Sequence, residues 1–413
     1  MLPARRASRL LALGVVAIVA AACGRRQRPP TAAQLDGMPW DSVVARAHAT
    51  TVTWLMWRGD PSVNAYVDSW VAPRLKYEYN ITLRTVDAEG PAILNALVVE
   101  REAGHTPGSA DLLWINGETF ANLRQEGLLF GPWAGRLPNA AYVDSASPIV
   151  ARDFEQRPNG YESPWGRVQF ALIYDMARTP HPPRTVAELR QWILAHPGRF
   201  TYDQSFTGMT FLKTLMYALE GGVAPFEGGF HEAVYDSASA RLFSWLRAVG
   251  PALWHDGRDY PRDVAALQRM FANDEVDFAM SDNQNDVVTK VRQGILPATA
   301  RPLLLRDGTI ANAHYVGIAF NAPNPAGAMV VANVLLSPAA QLEKQEPAVW
   351  DDGTVLAIGK LPAEWRARFE ALGRDPHALS PDSLAKYARP EVNPRYQERL
   401  EADWRRLVRD AQP

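Results

Sequence analysis

The sequence predicts an α/β protein built from two domains. Strand-like and helix-like segments alternate along the chain, which is the pattern of a mostly parallel sheet flanked by helices. The roughly 380 residues that follow the N-terminal segment exceed what a single hydrophobic core organises, so two domains are expected. The chain of 413 residues has no second long apolar run after its N-terminus. We therefore expect a soluble body behind the N-terminal segment.

The N-terminal segment has the layout of a secretory signal. Three arginines lie within the first nine residues, and residues 10–22 form an apolar run. A helix of that length reaches roughly 20 Å, short of the roughly 30 Å hydrocarbon core of a bilayer. A basic head, a short apolar middle and small residues before a cleavage site are typical of a signal peptide. We predict that residues 1–22 are such a signal.

The single cysteine of the chain, Cys23, directly follows this segment. The stretch "AAAC", residues 20–23, resembles the lipobox of bacterial lipoproteins, although a leucine is more usual in its first position. A lone thiol in an oxidising compartment has no internal disulfide partner, whereas a lipidated cysteine needs none. We predict lipidation at Cys23, a tether over residues 23–33, and a protein exported and lipid-anchored at the cell envelope, in the periplasm or on the outer face of the plasma membrane. A plain signal peptide with a chance cysteine is the alternative.

The charge balance excludes one class of partner. The chain has 43 Lys and Arg against 45 Asp and Glu, and loss of the three signal-peptide arginines lowers its formal charge from −2 to −5. A nucleic-acid footprint needs a basic excess or stripe. No nucleic-acid partner is expected.

The first 125 residues predict a β-α-β-α-β-α unit with right-handed crossovers. The predicted elements are strand 51–57, a helix capped by Ser62, strand 80–87, helix 92–101, strand 110–117 and helix 118–125. The ends of the three strands should open on one edge of the sheet. Open α/β sheets bind ligands at that carboxyl edge.

The remaining elements follow in a similar alternation. They are strand 166–178, a helix capped by Thr185, strand 199–205, a helix from Thr207, helix 238–248, a helix and strand ending at 280, a polar loop 281–285, a strand from 313, and a helix ending near Ser337. The last seventy residues are rich in helix signals. These elements form the second predicted domain and then lead the chain back to the first.

Several blocks of the sequence carry a family resemblance. They are "LMWRG", "DLLWINGETFANLRQEGLLFGPWAGRLPN", "PWGRVQFALIYDMARTPHPPRTVAEL", "GRFTY", "FLKTLMYAL" and "VGIAFNAPNPAGAMVVANVLLSPAAQ". In this order they resemble the extracellular solute-binding proteins of ABC importers. "LLWINGE" with "LLFGPWA" resembles the narrower YnjB-like family.

The resemblance implies the type II periplasmic-binding-protein fold, in which two lobes, each a mostly parallel sheet flanked by helices, are joined by hinge strands. We place the hinges at about residues 166–175 and 313–321. Lobe one would contain residues 34–165 with 320–413, and lobe two residues 166–319. It further implies a monomer that binds a small-molecule solute and works with an ABC permease and its ATPase. No cofactor, metal or catalytic residue is expected.

Residues at strand ends and helix N-termini are the predicted solute-binding set. Aromatic faces stack on the solute, and amides, hydroxyls and helix N–H groups orient it. The predicted residues are Trp57, Arg58, Trp114, Asn116, Glu118, Trp165, Gln169, Tyr202, Asp203, Ser205, Thr207, Thr210, Asp282 and Asn283, with Asn312 and His314 where the chain returns.

Individual members of this set have plainer alternatives. Trp57 and Trp114 end buried strands and suit a core, and Arg58 suits an ion pair with Asp60. The Thr207-Gly208 pair suits a helix cap, and His314 suits a buried, hydrogen-bonded histidine. The set as a whole is better supported than any member.

The solute and the biological role stay open at this point. The carboxylates with nearby aromatics suit a cation or a nitrogen heterocycle, Arg58 and helix N-termini suit an anion, and aromatics with amides suit a sugar. We expect a small polar organic solute. A sensing protein without a permease is an alternative. A secreted hydrolase is less favoured, because the sequence contains neither a Gly-x-Ser-x-Gly nor a His-Glu-x-x-His motif.

Overall fold

The computed structural model describes residues 29–410 as a mixed α/β protein. Its strands are β1 Thr51–Met56, β2 Thr82–Asp87, β3 Leu112–Ile115, β4 Glu162–Gln169, β5 Ala171–Asp175, β6 Phe278–Ser281, β7 Ala300–Leu303, β8 Thr309–Ile318 and β9 Ala388–Pro390. Its α-helices are α1 Ala32–Asp36, α2 Trp40–Ala47, α3 Pro61–Tyr66, α4 Ala72–Tyr79, α5 Gly90–Glu102, α6 Gly117–Gln125, α7 Pro148–Ala151, α8 Val186–Ala195, α9 Phe206–Leu219, α10 Glu232–Val249, α11 Val264–Ala272, α12 Asp286–Arg292, α13 Pro325–Leu335, α14 Pro338–Gln345, α15 Ala363–Glu370, α16 Pro381–Tyr387 and α17 Pro394–Trp404.

The first sheet has the order β2-β1-β3-β8-β4, and β9 pairs with the start of β8. Strands β1, β2 and β3 run parallel, as the β-α-β-α-β-α prediction requires, and β8 runs antiparallel to both of its long neighbours. All ten residues of β8 are buried. A central strand covered on both faces is usually apolar throughout, but β8 also buries the polar side chains of Thr309, Asn312 and His314.

The second sheet has three strands in the order β6-β5-β7, and both pairings are antiparallel. A mostly parallel sheet was predicted for each lobe, and for the second lobe this detail is wrong. Helical segments separate the three strands in sequence. Local sequence patterns therefore do not determine the direction in which each strand runs in the sheet. The two-lobed α/β architecture itself is confirmed.

Each sheet carries a hydrophobic core of its own. Trp54, Trp165 and Val316 belong to the first core, and Phe170 and Ile310 to the second. The change from one core to the other therefore happens within a few residues on β4–β5 and again on β8. These two stretches are neighbours, since Gln169 pairs with Ala311 and the Phe170 N–H donates to the Ile310 carbonyl at 2.8 Å.

The crossing strands differ in detail from the predicted hinges. The predicted strand 166–178 is two strands, β4 and β5, with only Phe170 between them. The second crossing lies near residues 310–313, at the start of the predicted range 313–321. The lobe boundaries otherwise remain a prediction.

The C-terminal segment forms a third crossing between the lobes. Helix α17 places Tyr396, Leu400 and Trp404 in the second core, and the Trp404 Nε1–H donates to the Tyr202 hydroxyl at 2.9 Å. Of residues 320–413, predicted to belong in part or in whole to lobe one, residues 392–404 therefore pack into the second core. The physical reason is the spacing of four residues, which puts these three large apolar side chains on one helical face.

Three smaller predictions also need correction. Residues 199–205 are not a strand, because their backbone hydrogen bonds go to separate partners around Trp254, Pro261 and Asp277 rather than to one neighbouring strand. The cap of α3 is Asp60, not Ser62. The predicted tether ends early, because α1 already begins at Ala32.

The predicted signal peptide, residues 1–22, and Cys23 lie outside the described residues. Over residues 29–410, no single helix is long and apolar enough to cross a bilayer. One bent pair, α13 with α14, would pass by length and composition, and all of α13 is buried inside the protein.

We predict that Trp165→Ala damages the fold rather than a binding surface. The Trp165 ring is fully buried and packs against Trp54 at 5.4 Å and Trp114 at 4.7 Å between ring centroids. Emptying this position should lower the free energy of unfolding by about 3–5 kcal/mol, measured by urea denaturation. The half-buried Trp365 serves as the control, and Trp365→Ala should cost distinctly less. Equal losses for the two variants would contradict the core role of Trp165.

Candidate functional site

A cavity of about 330 Å³ lies between the two lobes, and both lobes supply its walls. This volume is at the lower end of small-molecule clefts, which run from about 300 to 1,000 Å³. Charged residues on the wall are Asp60, Glu89, Glu118, Asp263, Asp282, Asp286, Lys290, Glu401 and Arg405, and aromatic residues on it are Trp57, Trp114, Phe206, His314 and Trp350.

The first-lobe wall is formed where β1, β2 and β3 end. Trp57 follows β1, Glu89 follows β2, and Trp114 with Asn116 lies at the end of β3. The prediction that these three strand ends share one edge is confirmed by the parallel pairing of the strands. Gly117 completes the turn into α6 with a φ of +50°, and a Cβ there would lie 2.4 Å from the Phe154 ring. Only glycine fits this turn.

The second-lobe wall consists of two segments that end in the cavity. Ser205 and Thr207 lie at the N-terminus of α9, and Asp282 and Asn283 follow β6. The Thr207 hydroxyl donates to Asp282 Oδ2 at 2.6 Å and so joins the two segments. Polar side chains are thereby held at the lobe surface that faces Glu118 and Trp114.

Aromatic rings form the floor beneath the first-lobe wall. The Trp114 ring contacts the rings of Trp57 at 6.4 Å, Trp165 at 4.7 Å and His314 at 5.1 Å between centroids. The His314 ring stacks on Trp350 at 5.6 Å and 18°. Rings locked by one another present fixed faces and edges to the cavity.

The structure brings together a large part of the predicted set. The predicted residues that line the cavity are Trp57, Trp114, Asn116, Glu118, Ser205, Thr207, Asp282, Asn283, Asn312 and His314. Their contact with a solute remains a prediction. His314 is buried, as its plainer alternative requires, and its Nε2 lies 3.3 Å from Oδ2 of the buried Asp352, but within the described residues this nitrogen makes no hydrogen bond.

Other predicted residues lie away from the cavity. Arg58 pairs with Asp68 at 2.5 Å and donates to Thr85, so its guanidinium is turned along the outside of β2. Its predicted ion pair with Asp60 does not form. Trp165 is sealed in the first core, and Gln169 is buried at the crossing, where its amide bonds Thr309.

Three second-lobe predictions are corrected for similar reasons. Tyr202 is buried and accepts the hydrogen bond from Trp404. Asp203 Oδ1 accepts from the N–H groups of Ser205 and Gly208, so this carboxylate caps α9 from inside the lobe. Thr210 donates to the Phe206 carbonyl one turn earlier. Asp203 and Thr210 thus bond backbone groups of their own lobe, and Tyr202 bonds the Trp404 side chain.

The sequence reasoning missed part of the wall. Besides Glu89, the missed charged, amide and aromatic residues are Asp60, Gln204, Phe206, Asp263, Asp286, Lys290, Trp350, Gln397, Glu401 and Arg405. Glu89 lies within the strand-end turn that was itself predicted to face the ligand edge. The C-terminal residues carry no such local signal, because only the docking of α17 on the second lobe brings them to the cavity.

One ion-pair group joins the lobes at the edge of the cavity. Lys290 of the second lobe lies 2.8 Å from Asp60 Oδ2 of the first lobe and 2.8 Å from its own neighbour Asp286. Close by, the Gln293 amide donates to the Ser62 hydroxyl at 3.1 Å. The side chains of Lys290, Asp60 and Asp286 are all buried.

Three carboxyl groups on the wall, those of Glu89, Glu118 and Asp282, have raised pKa values. Burial raises the pKa of Glu118 to about 7, and the neighbouring Glu401 and Glu398 add to the effect while Lys213 and Arg405 oppose it. Burial likewise raises the pKa of Asp282 to about 7, assisted by Asp203 and Glu391 and opposed by the Thr207 hydrogen bond and Lys213. Burial also raises the pKa of Glu89, with Asp87 and Asp263 as the next contributors.

The wall offers no metal centre. Over the part of the chain that the structure describes, no three His, Cys, Asp or Glu side chains lie close enough together to hold a metal ion. The arrangement can therefore stack, ion-pair and hydrogen-bond an organic molecule.

Known proteins share this architecture. A sequence profile described as "Bacterial extracellular solute-binding protein" matches residues 70–352. Protein YnjB of Escherichia coli strain K12 is 37% identical over 346 residues, covering 83% of this chain and 88% of that protein.

Solved structures agree at the level of the fold. An ABC transporter substrate-binding protein from Bradyrhizobium japonicum USDA 110 superposes with a TM-score of 0.64 at 18% identity, covering 87% of this chain and 100% of that one. The Tp0655 (TpPotD) lipoprotein of Treponema pallidum gives 0.63 at 13% identity, with 87% and 99% covered. The profile and the E. coli relative each span well over half of the chain, and this chain therefore belongs to the family of bacterial extracellular solute-binding proteins.

Proposed function

We propose that this protein captures a small polar organic solute between its two lobes and delivers it to the permease of an ABC importer. The observation that carries the proposal is the cavity whose walls come from both lobes. A solute held there contacts both halves at once, so its binding energy favours the closed arrangement over the open one. The family is one of binding proteins rather than enzymes, which removes the hydrolase alternative.

The contacts across the cleft support a clamp that closes and reopens. The Lys290–Asp60 pair and the Gln293–Ser62 hydrogen bond hold the lobes together at one side of the cavity. These contacts are polar, and so is the hydrogen bond from the Asn283 amide to the Trp350 carbonyl at 3.4 Å, so water can replace them when the lobes separate. The continuous strands β4–β5 and β8 supply a hinge in which a few backbone dihedrals absorb the movement.

The location follows from the N-terminal sequence. In this proposal the chain is exported, residues 1–22 are removed, and acyl chains on Cys23 hold a monomer at the envelope membrane beside its permease and ATPase. Cys23 is separated from the capping residue Thr31 of α1 by a short segment rich in Arg and Pro. Such a tether keeps the body near the membrane surface without fixing its orientation.

A thermal-shift screen of the purified protein against a solute library tests the capture function. A ligand of the closed state should raise the stability by RT ln(1 + [L]/Kd), about 2.7 kcal/mol at a hundredfold excess over Kd. Trp57→Ala removes a ring from the cavity wall and should abolish the shift. Trp70→Ala, at a half-buried ring that stacks on Tyr66 outside the cavity, should retain it. The proposal fails if no solute in the library shifts the protein.

The cleft ion pair should contribute to solute affinity. Asp60→Asn keeps the cap of α3, since asparagine caps as well as aspartate, and leaves Lys290 paired with Asp286. Loss of the cross-lobe attraction should weaken binding of the best screened solute about tenfold, or ~1.4 kcal/mol, measured by calorimetric titration. Asp68→Asn breaks the Arg58 pair within the first lobe and is the matched control. Equal affinities of the two variants would show that the pair plays no part in closure.

Replacement of the cysteine tests the anchor. Cys23→Ser should abolish incorporation of labelled palmitate and move the protein from the membrane fraction to the soluble fraction, because one or more acyl chains supply about 0.8 kcal/mol per buried CH₂. Solute binding should be unchanged. Retention of the variant in the membrane fraction would show that another segment holds the protein there.

A further inference from the structure

The positive charges on the cavity wall are already matched. Lys290 is held by Asp60 and Asp286 at 2.8 Å each, and Gln268 Oε1 accepts from its ammonium at 2.6 Å. Arg405 pairs with Glu401 at 3.2 Å. Lys290 is therefore not free to neutralise an anionic solute, and the half-exposed Arg405 is shared with Glu401.

Three carboxylates on the same wall have no cationic partner. Within residues 29–410, none of Glu89, Glu118 and Asp282 forms an ion pair. Asp282 accepts a hydrogen bond from Thr207 at 2.6 Å, Glu118 contacts the Gln397 amide at 3.5 Å, and Glu89 leaves the N-terminus of α5 uncapped. Two of them belong to the first lobe and one to the second. The closed cavity therefore gathers negative charge from both sides.

The remaining carboxylates differ from these three. Asp263 caps α11 through the Ala266 N–H and pairs with Arg262 at 2.7 Å, and Asp60 bonds two N–H groups of α3. These two carboxylates already have partners within the protein. Glu118 and Asp282 are half-buried and Glu89 is exposed. The partly desolvated carboxylates of Glu118 and Asp282 carry a cost that a bound cation would offset.

The aromatic residues of the wall suit the same ligand. Trp57, Trp114 and Trp350 expose ring surface to the cavity beside these carboxylates. A cation over an indole face gains about 0.5–2 kcal/mol, more when it is desolvated. A metal ion is a poorer occupant, because no three ligating side chains of the described chain converge. Arg58, the residue that would have favoured an anion, is engaged by Asp68 outside the cavity.

We propose that the solute is an organic cation, an amine or a charged nitrogen heterocycle, whose positive charge lies between Glu118 of the first lobe and Asp282 of the second. This inference rests on the proposed function, since it names the class of solute that the cleft captures. The cation supplies the charge that both lobes lack, so it attracts both lobes and favours closure. A neutral molecule of equal shape gains only the stacking.

Proton release should accompany binding. In the empty cavity burial raises the pKa of Glu118 and of Asp282 to about 7 each, so both are mostly protonated at about pH 6 and mostly ionised at about pH 8. Glu398, Glu401, Asp203 and Glu391 oppose ionisation of these groups, and Lys213 and Arg405 favour it. A cation binds the ionised form, so its affinity should rise as the pH rises through 7.

The test compares cations with neutral partners of the same shape. The probes are choline with 3,3-dimethyl-1-butanol, 1,4-diaminobutane with 1,4-butanediol, benzylamine with benzyl alcohol, and glutarate as an anion. Affinities are measured by calorimetric titration at about pH 6 and about pH 8, where the aliphatic amines stay charged. At least one cation should bind about tenfold or more tightly than its neutral partner, bind more tightly at the higher pH, and release protons.

Charge-removing variants locate the effect. Glu118→Gln and Asp282→Asn should each weaken the cation about tenfold and leave the neutral partner unchanged. Both variants should fold, with melting temperatures at about pH 8 equal to or above that of the unsubstituted protein, because they remove a carboxylate whose ionisation the fold disfavours. Glu364→Gln, at an exposed carboxylate on α15, changes the net charge equally and should alter neither affinity.

The outcomes separate this inference from the proposed function. Neutral or anionic probes that bind as tightly as the cations would overturn the cation assignment, and so would cation affinities that neither cavity variant alters. A cleft that binds none of these probes overturns it as well. The capture function stands if other solutes of the library shift the protein, and falls with the cation assignment if nothing in the library does.

Discussion

The pairing of β4 with β8 at the boundary of the two cores is the constraint on which the molecule depends. The two strands carry the chain between the lobes side by side, with Gln169 opposite Ala311. Their hydrogen bonds fix where each lobe starts, and the chain passes from the first core to the second around Phe170. The carboxyl ends of β1, β2 and β3 on one side and the loop after β6 on the other are thereby directed at a common space.

Some charged groups on the cavity wall have a partner within the protein and others do not, and this difference bears on solute binding. The carboxylates and cations that support the fold are matched to N–H groups or to each other, as at Asp263 and Lys290. The unmatched groups, Glu89, Glu118 and Asp282, sit on the wall at strand ends or helix N-termini. Closure of the empty cleft brings unpaired carboxylates of the two lobes together and is electrostatically unfavourable. In the proposed complex a bound cation attracts both lobes and favours closure.

Local signals predicted the residues that follow buried strands. Trp57, Trp114 and Asn116 reach the cavity because parallel strands bring their carboxyl ends to one sheet edge, a geometry that depends on chain direction alone. Asp282 reaches it from the end of β6, an edge strand of the antiparallel sheet. The same reasoning failed for Asp203, Tyr202 and Thr210. Whether a polar side chain near a helix N-terminus faces the cavity or caps the helix is set by its rotamer and by its neighbours in the folded lobe.

The sequence by itself determined the class of the fold, the order of most helices and strands, the edge at which the first lobe meets a ligand, and the family. Hydrophobic periodicity, turn residues and helix caps depend on a few neighbouring residues. The blocks that resemble the family are read directly from the sequence. Only the tertiary structure decided the antiparallel second sheet, the return of α17 to the second lobe, and the cross-lobe pair of Asp60 with Lys290. These features join residues more than a hundred positions apart, and packing of apolar faces against distant partners selects them, which no local pattern encodes.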